Sequence, residues 1–209
     1  MIRKHLILIG IIIALSLLLI STLNYPGGSQ ADLNSKGFDW KNNYLCNLFD
    51  IKAMNGTTNL ARPWAVAGMF FLCLSAALFF LDFSKKIPDK SSSRIIRYSG
   101  GGSMVFAFLT VTPYHDLMVT LANTLALVSL FYITVFIFRS KLSTLKILSV
   151  ACLLIAYACT YIYYSGYYLE FLPILQKVDL LFIVTWMLGL MYFTNEADFI
   201  IAKNNTSSQ

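Results

Sequence analysis

Few side chains in this sequence can do chemistry. His115 and Asp116 are adjacent, an arrangement that offers a general acid and a base. Asp39, Asp50, Glu170 and Asp179 add carboxylates, and Arg62 and Lys177 add cations. Trp40, Asn43 and Asn123 complete the candidate binding set. A catalytic zinc takes three protein ligands and an open position. The chain has two histidines, His5 and His115, at opposite ends of the expected fold, so no metal is expected. A serine triad lacks its Gly-x-Ser-x-Gly elbow. Gly100-Gly101-Gly102-Ser103 is not a phosphate loop, because no strand precedes it and no Gly-Lys-Ser/Thr follows. No cofactor is expected.

These residues must be held by whatever the rest of the chain builds. Six apolar segments cover 6–23, 64–82, 95–112, 117–138, 145–164 and 174–194. Each is about the ~20 helical residues that cross a ~30 Å hydrocarbon core. The chain is 57% hydrophobic and 12% charged, with a mean hydropathy of +0.67. The expected fold is all-α: one polytopic membrane domain over 1–209, six transmembrane helices in one bundle. A barrel would show shorter, alternating segments. No internal repeat and no pair of matching broken helices is present.

The net charge of +6 has a topological explanation. With the first segment entering from the cytoplasm, Arg3, Lys4, Lys85, Lys86, Lys90, Arg94, Arg97, Arg139, Lys141, Lys146 and Lys203 lie inside. Lys36, Lys41, Lys52, Arg62 and Lys177 lie outside. That asymmetry gives an N-in/C-in topology and removes the reason to invoke nucleic acid. The expected location is the plasma membrane, or the inner membrane of a bacterium. The first segment resembles a signal peptide but is long for one, so an uncleaved anchor is expected. Cys46, Cys73, Cys152 and Cys159 have no metal-like spacing and read as apolar packers.

The outer loop, 24–62, interleaves aromatic and leucine residues with Asn and Asp. It is expected to order as a short outer cap over 37–48, with Phe38, Trp40 and Tyr44 as an aromatic belt. Polar residues gather on the same side. Asp116, Thr120, Asn123 and Thr124 share one face of the fourth segment, and Gln176, Asp179, Ile183 and Trp186 one face of the sixth. Lys177 begins a helix, where a cation is unfavourable, so a pair with Asp116 is expected, and Arg62 is a candidate partner for Asp179. The three glycines at 100–102 suggest close helix packing. The tail from Asn195 is polar and expected to fray.

Several short motifs carry a resemblance. Tyr44-x-Cys46-x-Leu48 is similar to an outer-loop Tyr-x-Ser-x-Leu-Gly element. Asn59-x-x-Arg62-Pro63 opens the second segment, Pro113-x-His115 the fourth, and Gln176-Lys177 the sixth. Together they resemble a six-helix membrane superfamily. It includes the damage-regulated autophagy modulators, accessory proteins of GPI-anchor lipid remodelling and many uncharacterised bacterial proteins. Cys46 and Phe49 stand where that pattern has serine and glycine. The resemblance implies six helices and a lipid-linked or accessory role.

The expected function is therefore a non-enzymatic membrane protein. It binds a lipid or small amphiphile in a polar pocket open to the outer leaflet, or supports a lipid-handling membrane partner. The alternative from another class is a lipid-headgroup hydrolase using His115 and Asp116. A small transporter is disfavoured by the lack of a charged path through the cytoplasmic half.

Overall fold

The computed structural model describes residues 2–199. The expectation for a frayed tail therefore falls largely outside the described residues, as does the placement of Lys203. Six long helices account for most of the chain: α1 (Ile2–Leu23), α2 (Arg62–Phe83), α3 (Lys90–Leu109), α4 (His115–Arg139), α5 (Ser143–Ser165) and α6 (Leu172–Phe193). Among the described residues there is no strand, only isolated bridges at Gly27–Lys36 and Lys52–Thr58. Consecutive helices pack as neighbours, and α6 returns against α1 and α2 to close the bundle. The cap segment between α1 and α2 defines one end, here the cap end. The basic connections after α2 and α4 define the other.

Local chemistry sets the helix ends. Pro63 opens α2 and Pro173 opens α6, where a missing N–H is harmless. Asp89 caps α3 by accepting from the Ser92 N–H at 2.7 Å. That cap moves the start of α3 back to Lys90, five residues before the expected 95, and its end back to Leu109. Gly166, at φ 73°, ends α5.

Five helical segments are long and apolar enough to cross a membrane: Ile2–Leu23, Arg62–Lys86, His115–Arg139, Ser143–Ser165 and Leu169–Phe193. The sixth helix, α3, differs because its first turns carry Lys90, Arg94 and Arg97 among serines. It still packs between α2 and α4.

Packing is uneven along the bundle. The larger core lies towards the basic end, around Phe79, Phe83, Ile133, Ile137, Trp186 and Leu190. Trp186 is 1% exposed, and its Nε1–H donates to Ser149 Oγ at 2.8 Å, satisfying the indole in the interior. Phe79 meets Trp186 edge-on at 5.8 Å and stacks on Phe83 at 5.6 Å. A smaller core lies beneath the cap, with Leu18, Tyr25, Leu48, Phe49 and Ala65. Between lipid-facing helices, association rests on close contact rather than on escape from water. Small residues allow it: a Cβ on Gly10 would strike Ser75, and one on Gly68 would press on the Ala14 carbonyl, so α1 and α2 lie backbone to backbone.

The same test separates the three glycines of α3. A side chain on Gly100 would collide with the Phe80 ring, whereas Gly101 faces open space and Gly102 meets only Leu125 at ordinary contact distance. The expected close packing holds at one of the three. Gly100→Ala should therefore lower stability by about 1–3 kcal/mol through overpacking. Gly101→Ala should leave it unchanged or raise it by up to ~1 kcal/mol through helix propensity. Thermal unfolding of the two variants in detergent compares them directly.

Candidate ligand-binding site at the cap end

Residues 24–61 have almost no regular secondary structure, so their backbone groups need side-chain partners. Two buried asparagines each supply several of them. Asn59 Nδ2 donates to the carbonyls of Asn47, Leu48 and Asp50 at 2.9–3.2 Å, and its Oδ1 accepts from the Ala61 N–H. Asn43 Nδ2 donates to the Gly28 carbonyl at 2.9 Å, and its Oδ1 accepts from the Asp39 N–H at 2.8 Å. Asp39 in turn accepts from the Asn42 side chain at 2.7 Å and from the N–H groups of Lys41 and Asn42. Those hydrogen bonds, the Asn42 side chain first, hold its carboxyl below the usual carboxylate range. The Tyr25 hydroxyl accepts from the Met54 N–H, and burial raises its pKa. The cap is ordered over 37–48, with the turn Leu45–Leu48 in a 3-10 helix.

Aromatic rings continue the cap. Tyr25, Phe38 and Trp40 form an edge-to-face series with centroids 5.7 and 5.3 Å apart, and Trp40 is exposed at its end. The cap is clamped to α6 by two consecutive side chains. Gln176 Oε1 accepts from the Leu45 N–H at 3.0 Å, and its Nε2 approaches Cys46 Sγ at 3.6 Å. Lys177 Nζ donates to the carbonyls of Asn43 and Pro173, each at 2.7 Å, and lies 5.5 Å from the Phe38 ring centroid. Arg62 holds the other side, its Nε–H donating to the Phe49 carbonyl at 2.9 Å. Asp50 is exposed and joins through its carbonyl.

Two expected pairs are thereby corrected. Lys177 does not pair with Asp116. Its donors go to carbonyls of the cap and of its own helix, and the carboxylate that acts on its charge is Asp39. Bending back to Pro173, one turn earlier, carries the ammonium towards the start of α6. Arg62 likewise serves the Phe49 carbonyl rather than Asp179.

Asp116 belongs to a different group. Its side chain is 88% exposed, contacts His115 Nδ1 at 3.1 Å, and accepts from the Tyr163 hydroxyl at 2.9 Å. One turn on, the Tyr164 hydroxyl donates to Thr120 Oγ1 at 2.7 Å. Asn123 lies half-buried further along α4. The His115 ring turns inward: its Nε2 is buried, the Cys46 thiol is the one hydrogen-bonding group that reaches the ring besides Asp116, and the Asp50 carboxylate acts on its charge. Asp179, two turns into α6, also has a buried Oδ1 without a partner, and acts electrostatically on Cys152 and Cys159 of α5. Among the described residues no three His, Cys, Asp or Glu side chains converge as a metal site would require.

These groups lie at a level where the helices bury few of their side chains. No residue is fully buried across 104–109 of α3, 115–121 of α4, 153–165 of α5 or 174–183 of α6. The same four helices are well buried towards the basic end, through Ile96, Ile133, Cys152 and Leu190. Exposed Tyr157, Tyr161 and Tyr164 run along α5 at this level. Gln176, Asn47 and Asn59 were absent from the candidate set. The signal for them was the need of an irregular, apolar-rich segment for side-chain hydrogen-bond partners.

No family model, curated protein or solved structure matches the chain.

Lys177→Met should destabilise the protein by about 1–3 kcal/mol, because two shielded carbonyls lose their donor. Asp116→Asn should change stability by at most ~0.5 kcal/mol, as expected of an exposed residue. The double variant should show additive effects to within about 0.5 kcal/mol. Thermal unfolding of the cycle in detergent measures this, and a larger coupling would mean that the two side chains interact.

Proposed function

We propose that this chain is a non-enzymatic multi-pass membrane protein that binds a lipid or small amphiphile in a vestibule between α3, α4, α5 and α6 at its cap end. One observation carries the reading. Asp179 Oδ1 is buried without a hydrogen-bond partner, and His115 Nε2 is buried facing only the weakly bonding Cys46 thiol, beside helices that bury few side chains at that level. An unpaired polar atom costs about 1–3 kcal/mol when shielded, and a ligand headgroup would satisfy both. The half-exposed apolar faces of α3 to α6 would take its chain.

The proposed topology has six spans, with α1 entering from the cytoplasm and the cap outside. The excess of Lys and Arg at the basic end supports it. So does the short hairpin at 110–114, which sends α3 back along α4, over about 30 Å at 1.5 Å per residue. A cysteine placed at Ser92 should then resist impermeant thiol reagents in intact cells and label after permeabilisation. Strong labelling in intact cells would defeat this topology.

Membership of the six-helix superfamily is part of the same proposal. Tyr44, Cys46, Asn59, Arg62, His115, Gln176 and Lys177 come from four separate stretches, and all lie at the cap end. Convergence of motif positions supports a shared site.

A lipid panel tests the function. Purified protein should bind one lipid class saturably without turnover, and His115→Ala and Asp179→Leu should weaken that binding while the fold is retained. Turnover that His115→Ala abolishes would favour the hydrolase alternative instead, with the Tyr163–Asp116–His115 chain as its acid–base machinery.

A further inference from the structure

The end of the bundle opposite the cap carries a cavity of about 230 Å³ between α1, α2 and α6. Its walls are apolar, formed by Ile7, Phe79, Phe83 and Met191. Its polar lining is cationic, with Arg3, Lys4 and Lys86 against a single carboxylate, Asp82.

The bonding state of each charge matters. Asp82 is already shared, accepting from Arg3 Nη1 at 2.6 Å and from Lys85 Nζ at 2.9 Å. Lys86 directs its ammonium to neutral acceptors on α6: the Leu190 carbonyl, the Thr194 carbonyl and Thr194 Oγ1, at 2.9–3.2 Å. Its charge is held in place without a direct ion pair among the described residues, with Asp198 and Asp82 acting on it from further away. Lys4 has no carboxylate within ion-pair distance among the described residues, and lies 5.9 Å from the Tyr192 ring centroid. Arg3 offers one guanidinium nitrogen to Asp82 and keeps other N–H groups for a second acceptor. The first turn of α1 contains no acidic residue, so its backbone N–H groups add to the positive field.

We propose that this cavity binds the phosphate headgroup of an anionic phospholipid, with Arg3 and Lys4 as direct donors and Lys86 as a fixed charge behind them. The size fits a headgroup, since sites for drug-sized ligands run from about 300 to 1,000 Å³. The apolar walls favour a lipid over a free anion, because they offer nothing to a hydrated phosphate. Leu6, Ile9 and Ile13 of α1 are exposed, and in a bilayer lipid chains cover such a surface. Basic clefts between membrane helices are suited to this chemistry. The site is independent of the vestibule at the cap end and stands whether or not that one binds an amphiphile.

Native mass spectrometry of the purified full chain, titrated with phosphatidylglycerol, phosphatidylcholine or inorganic phosphate, tests the proposal. Phosphatidylglycerol should bind in preference to phosphatidylcholine. Each cation near an anionic surface contributes about fivefold. Lys4→Gln should therefore weaken phosphatidylglycerol binding about fivefold, and Arg3→Gln combined with Lys4→Gln about 30-fold. Lys141→Gln, an exposed cation at the same end, should have no effect. Lys4 makes no ion pair in the fold, so its variant should unfold at the temperature of the parent protein. Equal binding of the two lipids would overturn the proposal, as would an equal loss in Lys141→Gln. Displacement of phosphatidylglycerol by an equal concentration of inorganic phosphate would also overturn it, since the ligand would then be a free anion.

Discussion

The rest of the structure depends on satisfying the backbone polar groups of an irregular segment placed over a membrane bundle. A helix meets that demand internally, and residues 24–61 meet it only in part through their own turns. Asn59 gathers three carbonyls and an N–H, and Asn43 ties the Gly28 carbonyl to the Asp39 turn. Gln176 and Lys177 then fasten this unit to α6. Loss of any of these links would leave shielded donors or acceptors exposed to an apolar medium, where each unmet group is costly. Order in the cap is therefore a consequence of hydrogen bonding, with the Tyr25–Phe38–Trp40 rings adding contact rather than direction.

The bundle divides its work by depth. Towards the basic end, aromatic and branched side chains from several helices interlock around Phe79 and Trp186. Towards the cap end, 104–109, 115–121, 153–165 and 174–183 contain no fully buried residue, and Asp179 Oδ1 there lacks a partner. A uniformly packed bundle would be stiff throughout. This one has a closely packed base and, near the cap, helices that bury few of their side chains against one another.

Much of the helical layout was legible in the amino-acid order, because a run of about 20 apolar residues has few alternatives in a chain this hydrophobic. Helix ends were less legible. The start of α3 depends on the Asp89 cap, which hydropathy does not register. The order of the cap was visible in its aromatic and amide content, but its connections were not. Lys177 illustrates the difficulty. A cation near a helix start was expected to seek a carboxylate, yet the cap presented it with a carbonyl from more than 130 positions away. Contacts of that kind depend on where an irregular loop comes to rest. Likewise, adjacency of His115 and Asp116 gave no hint that the ring turns inward while the carboxylate stays in the open.

Lysine usually carries its charge on a wandering tether, and closing any contact with it requires freezing several rotatable bonds. Lys86 has that freezing done in advance. Three acceptors from the end of α6 hold its ammonium at one point, so the charge moves with the helices and not with its own side chain. The electrostatic field at that end of the protein consequently has a stationary origin. An anion arriving there loses none of its attraction to the ordering of that lysine, and the turn that follows α2 is tied to the end of α6 by the same three contacts.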